Sequence, residues 1–402
     1  MKSLRENLEP RSVPLISLSS EEPRAEDFEP LPLGPARWDW TTINRVLVVR
    51  LRSIGDTVLA TPSLYALRRF LPHARIDILL EDWVAPVLDG FTDADNVIII
   101  ERGSAVARAR IARELRATRY DVAFNLHGGT TATLLTRATG ATYRVGYADY
   151  QYGRLHNHAA PSPLELWGNA SVHSVEQQLA LLGWTGVPVS DKPRTHLAVT
   201  QKAAASIEAK LRAAGVDEAA SFALIHPAAA FETKRWDVRN FARVAEYLRE
   251  RNINGVAVAA PKEAELVRDL LRESTAPVSA LTDLSLPEVT ALAARSRLFV
   301  GNDSGIAHIA AAVHTPSVVI FGSSNINHWR PWAAANAPAE IVREELPCQP
   351  CPGYTCAEFD QPECIRRVPV EHVIAAIERI LEKSNQQSVV SSQPFPAEQA
   401  AL

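Results

Sequence analysis

The sequence Arg45-Val-Leu-Val-Val-Arg-Leu-Arg-Ser-Ile-Gly-Asp56 decides the fold, because a short aliphatic run leads straight into a glycine–aspartate turn. Such a run is typical of a parallel strand that is covered on both faces. Helical spacing of apolar residues continues to about Leu71, which predicts a helix directly after the turn. Asp56 would then lie at the start of that helix, at the sheet edge where α/β folds bind ligands.

The same alternation of apolar runs and helical spacing continues along the chain. Strands that alternate with helices predict a parallel sheet with helices on both faces. The alternation breaks in the Pro- and Gly-containing residues 183–194 and then starts again, which predicts an α/β fold of two Rossmann-like domains facing across a cleft. The predicted parts are a disordered leader over 1–42, an N-terminal domain over 43–190, a C-terminal domain over 191–383 and a disordered tail over 384–402.

Composition narrows the class of protein. The 402 residues are 47% hydrophobic and 22% charged, with a formal net charge of −4, whereas a general nucleic-acid binder is usually basic. No apolar run approaches the roughly 20 residues that span a bilayer. Residues 1–40 contain no continuous apolar stretch of the kind found in signal peptides. We therefore expect a cytoplasmic protein that meets a membrane, if at all, at its surface.

Asp56, which ends the Gly-Asp turn, has two possible roles in the predicted structure. Aspartate is a favoured N-cap, so a purely structural role is open. A carboxylate at the lip of a cleft is also a suitable general base for an acceptor hydroxyl, and the two roles are compatible. No G-x-G-x-x-G follows the first strand, which argues against a nicotinamide dehydrogenase.

A second motif, Gly301-Asn-Asp-Ser-Gly-Ile-Ala-His308, lies between a predicted strand and helix. Ser304 and Gly305 would open that helix with free N–H groups, which form a site for a diphosphate. Asp303 could accept hydrogen bonds from sugar hydroxyls, and His308 would lie about one turn into the helix. Capping and a buried structural histidine are the alternative.

The third motif is Thr233-Lys-Arg-Trp236, at the end of a loop that follows a predicted strand. Lys234 and Arg235 offer positive charge to a phosphate oxygen. A solvated basic pair is the alternative reading of the motif taken alone.

Together and in this order, the three motifs resemble those of the family 9 glycosyltransferases, the lipopolysaccharide heptosyltransferases and their relatives. The resemblance runs over about 45–382 and includes the sequence His173-Ser-Val-Glu-Gln-Gln. It implies the GT-B architecture, in which an N-terminal half holds the acceptor and a C-terminal half holds the nucleotide sugar. It also implies inverting transfer without a catalytic metal.

The resemblance assigns roles to individual residues. It implies that Asp56 is the catalytic base and that Lys234 contacts the donor phosphate. The remaining donor-site residues that it implies are Thr233, Glu263, Leu284, Asp303, Ser304, Gly305 and His308. Ser53 and His127 are candidates on the acceptor side. Ala229 and Ala230 depart from the hydroxyl residues of some members, so donor contacts there would come from the backbone.

The function that this resemblance implies is transfer of heptose from ADP-heptose to a lipid-linked lipopolysaccharide inner-core acceptor. The partners would be the nucleotide sugar, the core oligosaccharide and, transiently, the inner membrane surface, with no nucleic acid and no required cofactor. The alternatives are a relative that uses another nucleotide sugar, a nucleotide-sugar epimerase of the same architecture, and a non-catalytic ADP-sugar sensor.

All the cysteines, Cys348, Cys351, Cys356 and Cys364, lie within one short segment. Four thiolates suit a structural, tetrahedral zinc ion, although these spacings differ from those of common zinc ribbons. Reduced thiols remain open, and stable disulfides are disfavoured in the cytosol. We expect no catalytic role for this cluster.

A run of arginines occupies the predicted helix over 104–118 and its flanks. The members are Arg102, Arg108, Arg110, Arg113, Arg116 and Arg119, against two glutamates. The run is either a solvated helix face or a contact for anionic lipid or for a phosphorylated acceptor.

Overall fold

The computed structural model describes residues 29–351 and 354–391, with side chains as far as residue 383. It contains two parallel sheets of six strands each. The strands of the first sheet are β1 (Arg45–Val49), β2 (Arg75–Glu81), β3 (Asn96–Ile100), β4 (Val122–Asn125), β5 (Tyr143–Tyr147) and β6 (His158–Ala160). Those of the second are β7 (Phe222–His226), β8 (Asn254–Val258), β9 (Val278–Leu281), β10 (Leu298–Asn302), β11 (Ser317–Phe321) and β12 (Ala339–Arg343).

Helices connect the strands in both halves. The N-terminal half has α1 (Ile54–Val58), α2 (Thr61–Phe70), α3 (Ala105–Thr118), α4 (Thr130–Ala138), α5 (Pro163–Trp167) and α6 (Ser174–Gly183). The C-terminal half has α7 (Gln201–Ala213), α8 (Val238–Glu250), α9 (Ala264–Glu273), α10 (Leu286–Arg295), α11 (Gly305–Ala312), α12 (Ile326–Trp329), α13 (Glu363–Arg366) and α14 (Val370–Ser391). Among the described residues, no helix is both long and apolar enough to cross a bilayer.

The two sheets share one topology, which confirms the predicted pair of Rossmann-like domains. The strand orders are β3-β2-β1-β4-β5-β6 and β12-β11-β10-β7-β8-β9. In each sheet the order reverses between the first and fourth strands of that half, namely between β1 and β4 and between β7 and β10. Ligands of doubly wound folds bind beyond the carboxyl ends of the strands at this switch point.

β1 shows why the sequences of the central strands are continuous apolar runs. Val46 and Val48 belong to one core cluster, while Leu47 and Val49 belong to another on the opposite face. Both faces of the sheet are covered, so every position of β1 after the exposed Arg45 is apolar. The first of these clusters continues through the C-terminal half, where it includes Phe299. The two halves therefore share one apolar core.

The halves touch most closely where α1 meets α11, and glycine permits this contact on both sides. A Cβ atom at Gly55 would lie 2.7 Å from Cδ2 of His308, and one at Gly305 would lie 2.8 Å from Cβ of Ile54. Separations this short exclude any larger residue without a shift of the helices. The glycines of the first two motifs thus bring the two switch points together.

Two segments predicted to be disordered are in part ordered. Of the leader over 1–42, residues 29–42 are described, and Trp38 and Trp40 are buried against the N-terminal half. The indole N–H of Trp40 donates to the carbonyl of Thr185 over 2.9 Å. Burial of two large aromatic side chains offsets the entropy of ordering this segment. Residues 1–28 lie outside the described part of the chain.

The predicted tail over 384–402 begins as a helix, because α14 continues to Ser391. Its inner face packs Val373, Ile377 and Ile380 on the second sheet, and the same helical register carries the backbone past residue 383. Residues 392–402 lie outside the described part of the chain.

Candidate functional site

Asp56 lies in α1, immediately after β1 and at the switch point of the first sheet. Its carboxylate accepts hydrogen bonds from the backbone N–H of Ser53 at 3.3 Å and from the Ser53 hydroxyl at 3.0 Å. Ser53, and not Asp56, is therefore the N-cap of α1; Asp56 is the third residue of the helix, its side chain completes the capping box, and it remains 19% exposed. Ser53 orients this carboxylate and is itself exposed at the front of α1.

The shortest polar contact of Asp56 is with Arg50. The sequence analysis assigned no role to Arg50. A nitrogen of its guanidinium lies 2.5 Å from Oδ1 of Asp56, and the Arg50 side chain is only 8% exposed. A second nitrogen lies 3.1 Å from Nδ1 of His127. The sequence position of Arg50 could have indicated a partner. It lies between the buried residues Val49 and Leu51, where an unpaired charge would be costly.

His127 follows β4 and therefore lies at the same switch point. Burial, and then the positive charge of Arg50, lower the pKa of His127 to about 4. The ring is neutral at physiological pH, and Arg50 can only donate, so Nδ1 accepts and Nε2 carries the proton. The predicted acceptor-side candidate thus lies beside Arg50, and its remaining nitrogen meets the backbone carbonyl of Arg52.

Lys234 and Asp303 form the matching ion pair in the second half. Nζ of Lys234 lies 2.8 Å from Oδ2 of Asp303, which also accepts from the Ser324 hydroxyl at 2.5 Å. Asp303 is 6% exposed and Lys234 is 21% exposed. Both contacts are made by Oδ2, which holds Lys234 and Ser324 in place; acceptance of sugar hydroxyls by Asp303 stays a prediction.

The N-terminus of α11 lies directly beyond β10. Ser304 is its N-cap and makes no capping hydrogen bond with its own side chain; the hydroxyl instead lies 3.2 Å from Nδ1 of His226 at the end of β7. Burial lowers the pKa of His226 to about 4, so this imidazole is neutral. The first N–H groups of α11 remain available for an anion at the second switch point.

His308 links the two halves. It lies on α11 against Gly55 of α1 and is 5% exposed. Burial lowers its pKa, while Asp303 and Asp56 raise it and Lys234 lowers it, so all three charges act on this one ring. The three motifs therefore meet around His308, which is buried between the halves and does not face open solvent.

The other predicted donor residues are more scattered. Thr233 is buried, with its hydroxyl oxygen 2.9 Å from that of Ser323. Glu263 and Leu284 follow β8 and β9, one and two strands away from β7, and both are partly buried. They share the carboxyl edge of the sheet with Lys234 but do not contact it.

Ala229 is buried and its carbonyl accepts from Arg235, and Ala230 is exposed.

The four cysteines line a single cavity of about 190 Å³, together with Thr233 and Ser323. None of the four forms a disulfide. Burial, and then the nearby Cys348 and Cys356, raise the pKa of the Cys364 thiol. Within the described residues, no three His, Cys, Asp or Glu side chains are arranged to hold a metal ion. The segment is anchored to the C-terminal half, since the N–H of Cys351 donates to the carbonyl of Ser323.

Comparison with known proteins identifies the family. The model of glycosyltransferase family 9 (heptosyltransferase) matches residues 108–360. Lipopolysaccharide heptosyltransferase 3 of Escherichia coli is 29% identical over 353 residues, which cover 83% of this chain and 98% of that protein.

Solved structures agree on the fold. A family 9 glycosyl transferase of Veillonella parvula has a TM-score of 0.73 at 21% identity and covers 85% of this chain and 98% of its own. The E. coli ADP-heptose lps heptosyltransferase II has a TM-score of 0.69 at 21% identity, covering 85% of this chain and 99% of its own. The chain therefore belongs to glycosyltransferase family 9, the lipopolysaccharide heptosyltransferase family, and is a glycosyltransferase.

Proposed function

We propose that the protein transfers heptose from ADP-heptose to a lipid-linked lipopolysaccharide inner-core acceptor, with inversion and without a catalytic metal. The observation that supports this best is the contact between the halves at Gly55 and His308, where the partly exposed carboxylate of Asp56 and the partly exposed ammonium of Lys234 lie near one buried ring. One half thus presents a base, and the other presents a cation for a leaving phosphate.

Asp56 is the general base. The acceptor hydroxyl attacks the anomeric carbon of the donor while its proton passes to Asp56, and the bond from that carbon to the diphosphate oxygen breaks. Arg50 and Ser53 fix the carboxylate, because together they occupy both of its oxygens from one side. His127 contacts the same arginine and is the candidate for contact with the acceptor.

Lys234 and the N-terminus of α11 stabilise the departing ADP. The ammonium is fixed by Asp303, and the helix contributes backbone N–H groups and the positive end of its dipole. Preorganised donors of this kind stabilise a developing negative charge without a metal ion. Glu263 and Leu284, farther along the same sheet edge, would hold the nucleoside.

The donor and acceptor are inferred from relatives. One E. coli protein of the same fold is an ADP-heptose lps heptosyltransferase, and one relative that aligns over most of this chain is lipopolysaccharide heptosyltransferase 3. A lipid-linked acceptor would place the enzyme in the cytoplasm and transiently at the inner membrane surface.

The test is a transfer assay with purified protein, ADP-heptose and core-truncated lipopolysaccharide acceptors, in the presence and absence of EDTA. We expect acceptor-dependent release of ADP, an inverted anomeric linkage by NMR, and no effect of the chelator. Release of free sugar without an acceptor would indicate an epimerase, and donor binding without turnover would indicate a sensor. Transfer only from UDP- or GDP-sugars would retain the enzyme class and reject the donor.

Any zinc in the four-cysteine cavity would have a structural role in this scheme. The thiols are the right donor type and share one cavity, but among the described residues no three of them are arranged around one ion. Metal analysis of the purified protein decides it: one zinc per chain, lost in Cys348→Ser, would establish the site, and metal-free protein with four titratable thiols would remove it.

A further inference from the structure

An arginine-rich face covers the outer side of the first sheet, away from the C-terminal half. We call it the arginine surface and define it by Arg108, Arg110, Arg113, Arg116, Arg137 and Arg144 on α3, α4 and β5. α3 packs inward through Ala107, Ile111 and Leu115. That packing turns its arginines outward.

These arginines lack acidic partners. Within the described residues, none of the six forms an ion pair with a carboxylate. Several arginines of the C-terminal half are paired, for example Arg243 with Glu371 and Arg379 with Glu340. Burial, and then the charges of Arg137 and Arg116, lower the pKa of Arg144, which shows that positive charge accumulates on this face.

The charge is local and opposite to that of the whole chain. Residues 101–154 contain nine arginines and four acidic residues, whereas the chain carries a net charge of −4. Salt screens charges beyond about 8 Å at physiological ionic strength, so an approaching polyanion responds to the local face and not to the chain total.

Apolar side chains are exposed among the arginines. Val106, in the first turn of α3, is 80% exposed, and Leu134, three residues before Arg137 in α4, is 52% exposed. A site for a single phosphate has no use for such side chains. A basic helix face with exposed aliphatic residues is typical of contact with the headgroup region of a bilayer.

We propose that the arginine surface docks the protein on an anionic lipid bilayer. The bilayer is preferred over a phosphorylated sugar because the charges extend over two helices and a strand and enclose exposed aliphatic side chains. Both α3 and α4 begin at the carboxyl edge of the sheet, and α4 starts three residues after His127. Docking there holds the acceptor half of the site next to the membrane, which is how the inference rests on the proposed lipid-linked acceptor.

The experiment is cosedimentation of the full chain with vesicles of phosphatidylcholine alone or mixed with phosphatidylglycerol. The test variant is Arg108→Gln/Arg110→Gln/Arg113→Gln, which loses no ion pair and keeps good helix formers. The matched control, Lys202→Gln/Arg212→Gln/Arg268→Gln, removes the same charge from exposed positions of the C-terminal half. Thermal stabilisation by ADP verifies that each variant is folded.

We expect salt-sensitive binding to the mixed vesicles only. At about fivefold per basic residue near an anionic surface, the test variant should bind on the order of a hundredfold more weakly. The control should bind within about twofold of wild type, since its charges lie far from the bilayer beyond the screening length.

Three results would overturn the proposal: no binding to mixed vesicles, equal loss in test and control variants, or release by inorganic phosphate at constant ionic strength. The last would assign the face to a soluble phosphate. Vesicle binding needs neither donor nor transfer, so its failure is distinguishable from failure of the proposed function.

Discussion

The two switch points carry the same kind of ion pair with the exposures reversed. In the N-terminal half the cation is the buried partner, because Arg50 is 8% exposed and Asp56 is 19% exposed. In the C-terminal half the carboxylate is buried, because Asp303 is 6% exposed and Lys234 is 21% exposed. A neutral histidine lies at each switch point, the partly buried His127 at one and the buried His226 at the other.

This reversal indicates which member of each pair acts on a ligand. A buried charge is tolerated only with a partner, so the inner member fixes the position of the outer one. The acceptor half therefore presents a negative group for a proton, and the donor half presents a positive group for a phosphate. One Rossmann-like frame serves opposite chemistry by changing which end of an ion pair reaches solvent.

Removal of the exposed carboxylate should have the largest effect. Asp56→Asn keeps the shape and the contact with Ser53 but cannot take a proton, so kcat should fall by about 10²- to 10⁴-fold. The dissociation constant of ADP should not change, because Asp56 lies in the other half. Steady-state transfer assays and calorimetric titration with ADP measure the two quantities.

The same substitution in the other half is the matched control. Asp303→Asn loosens Lys234 and should weaken ADP binding, which Asp56→Asn does not. If both variants lost turnover while ADP affinity stayed intact, the two ion pairs would not differ in function, and the separate role of Lys234 and Asp303 in donor binding would be rejected.

Loss of the exposed cation ranks second. Lys234→Gln can still donate to Asp303 but provides no charge for the diphosphate, and kcat should fall by about 10²- to 10³-fold with weaker ADP binding. Lys234→Arg should recover part of the activity. Lys202→Gln, an equal charge change on exposed α7, should leave both quantities unchanged, and a similar loss there would point to a general electrostatic effect.

The buried partner of Asp56 comes third. Arg50→Gln removes the charge that spans Asp56 and His127, and a base displaced by about 1 Å costs up to about 10²-fold in kcat. Arg50→Lys keeps the charge but cannot reach both groups, so we expect partial recovery. An unchanged ADP affinity would separate this positioning role from a general loss of structure, which would weaken ADP binding and thermal stability together.

The sequence predicts the interior of the fold better than its borders. Central strands such as β1, β7 and β11 appear as continuous apolar runs because both faces of the sheet are covered. Three of the four edge strands, β6, β9 and β12, were missed in the sequence. An edge strand pairs on one side only and is partly exposed, as the half-buried positions of β9 show, so its sequence contains no such run.

For the candidate site, the sequence predicts which motifs matter but not how their charges are paired. Asp56, Lys234 and the 303–308 segment were found from their positions after strands, and the structure gathers them around His308. The roles of Arg50, His226 and Ser324 depend on contacts between residues far apart in the chain. Likewise, Gly55 and Gly305 looked like local turn residues, although their effect is to let α1 and α11 touch.

The smallest predicted effect is the change in the free energy of unfolding with pH that the neutral histidines cause. Burial lowers the pKa of His226 from 6.5 to about 4, so between these values the unfolded chain binds a proton that the folded chain does not. The free energy of unfolding should therefore decrease as pH falls from about 6.5 to about 4, by roughly 1.4 kcal/mol per unit for this residue. Above pH 6.5 its contribution is complete.

His226→Asn tests this directly, because the amide oxygen can replace Nδ1 beside Ser304 without titrating. Urea unfolding at several pH values should show a shallower acid slope in this variant, while exposed His372→Asn should match wild type. His127→Asn should flatten the slope similarly, since burial and Arg50 keep that ring neutral in the fold. A wild-type slope in both His226→Asn and His127→Asn would mean that the neutral histidines at the two switch points do not set the acid stability of the protein.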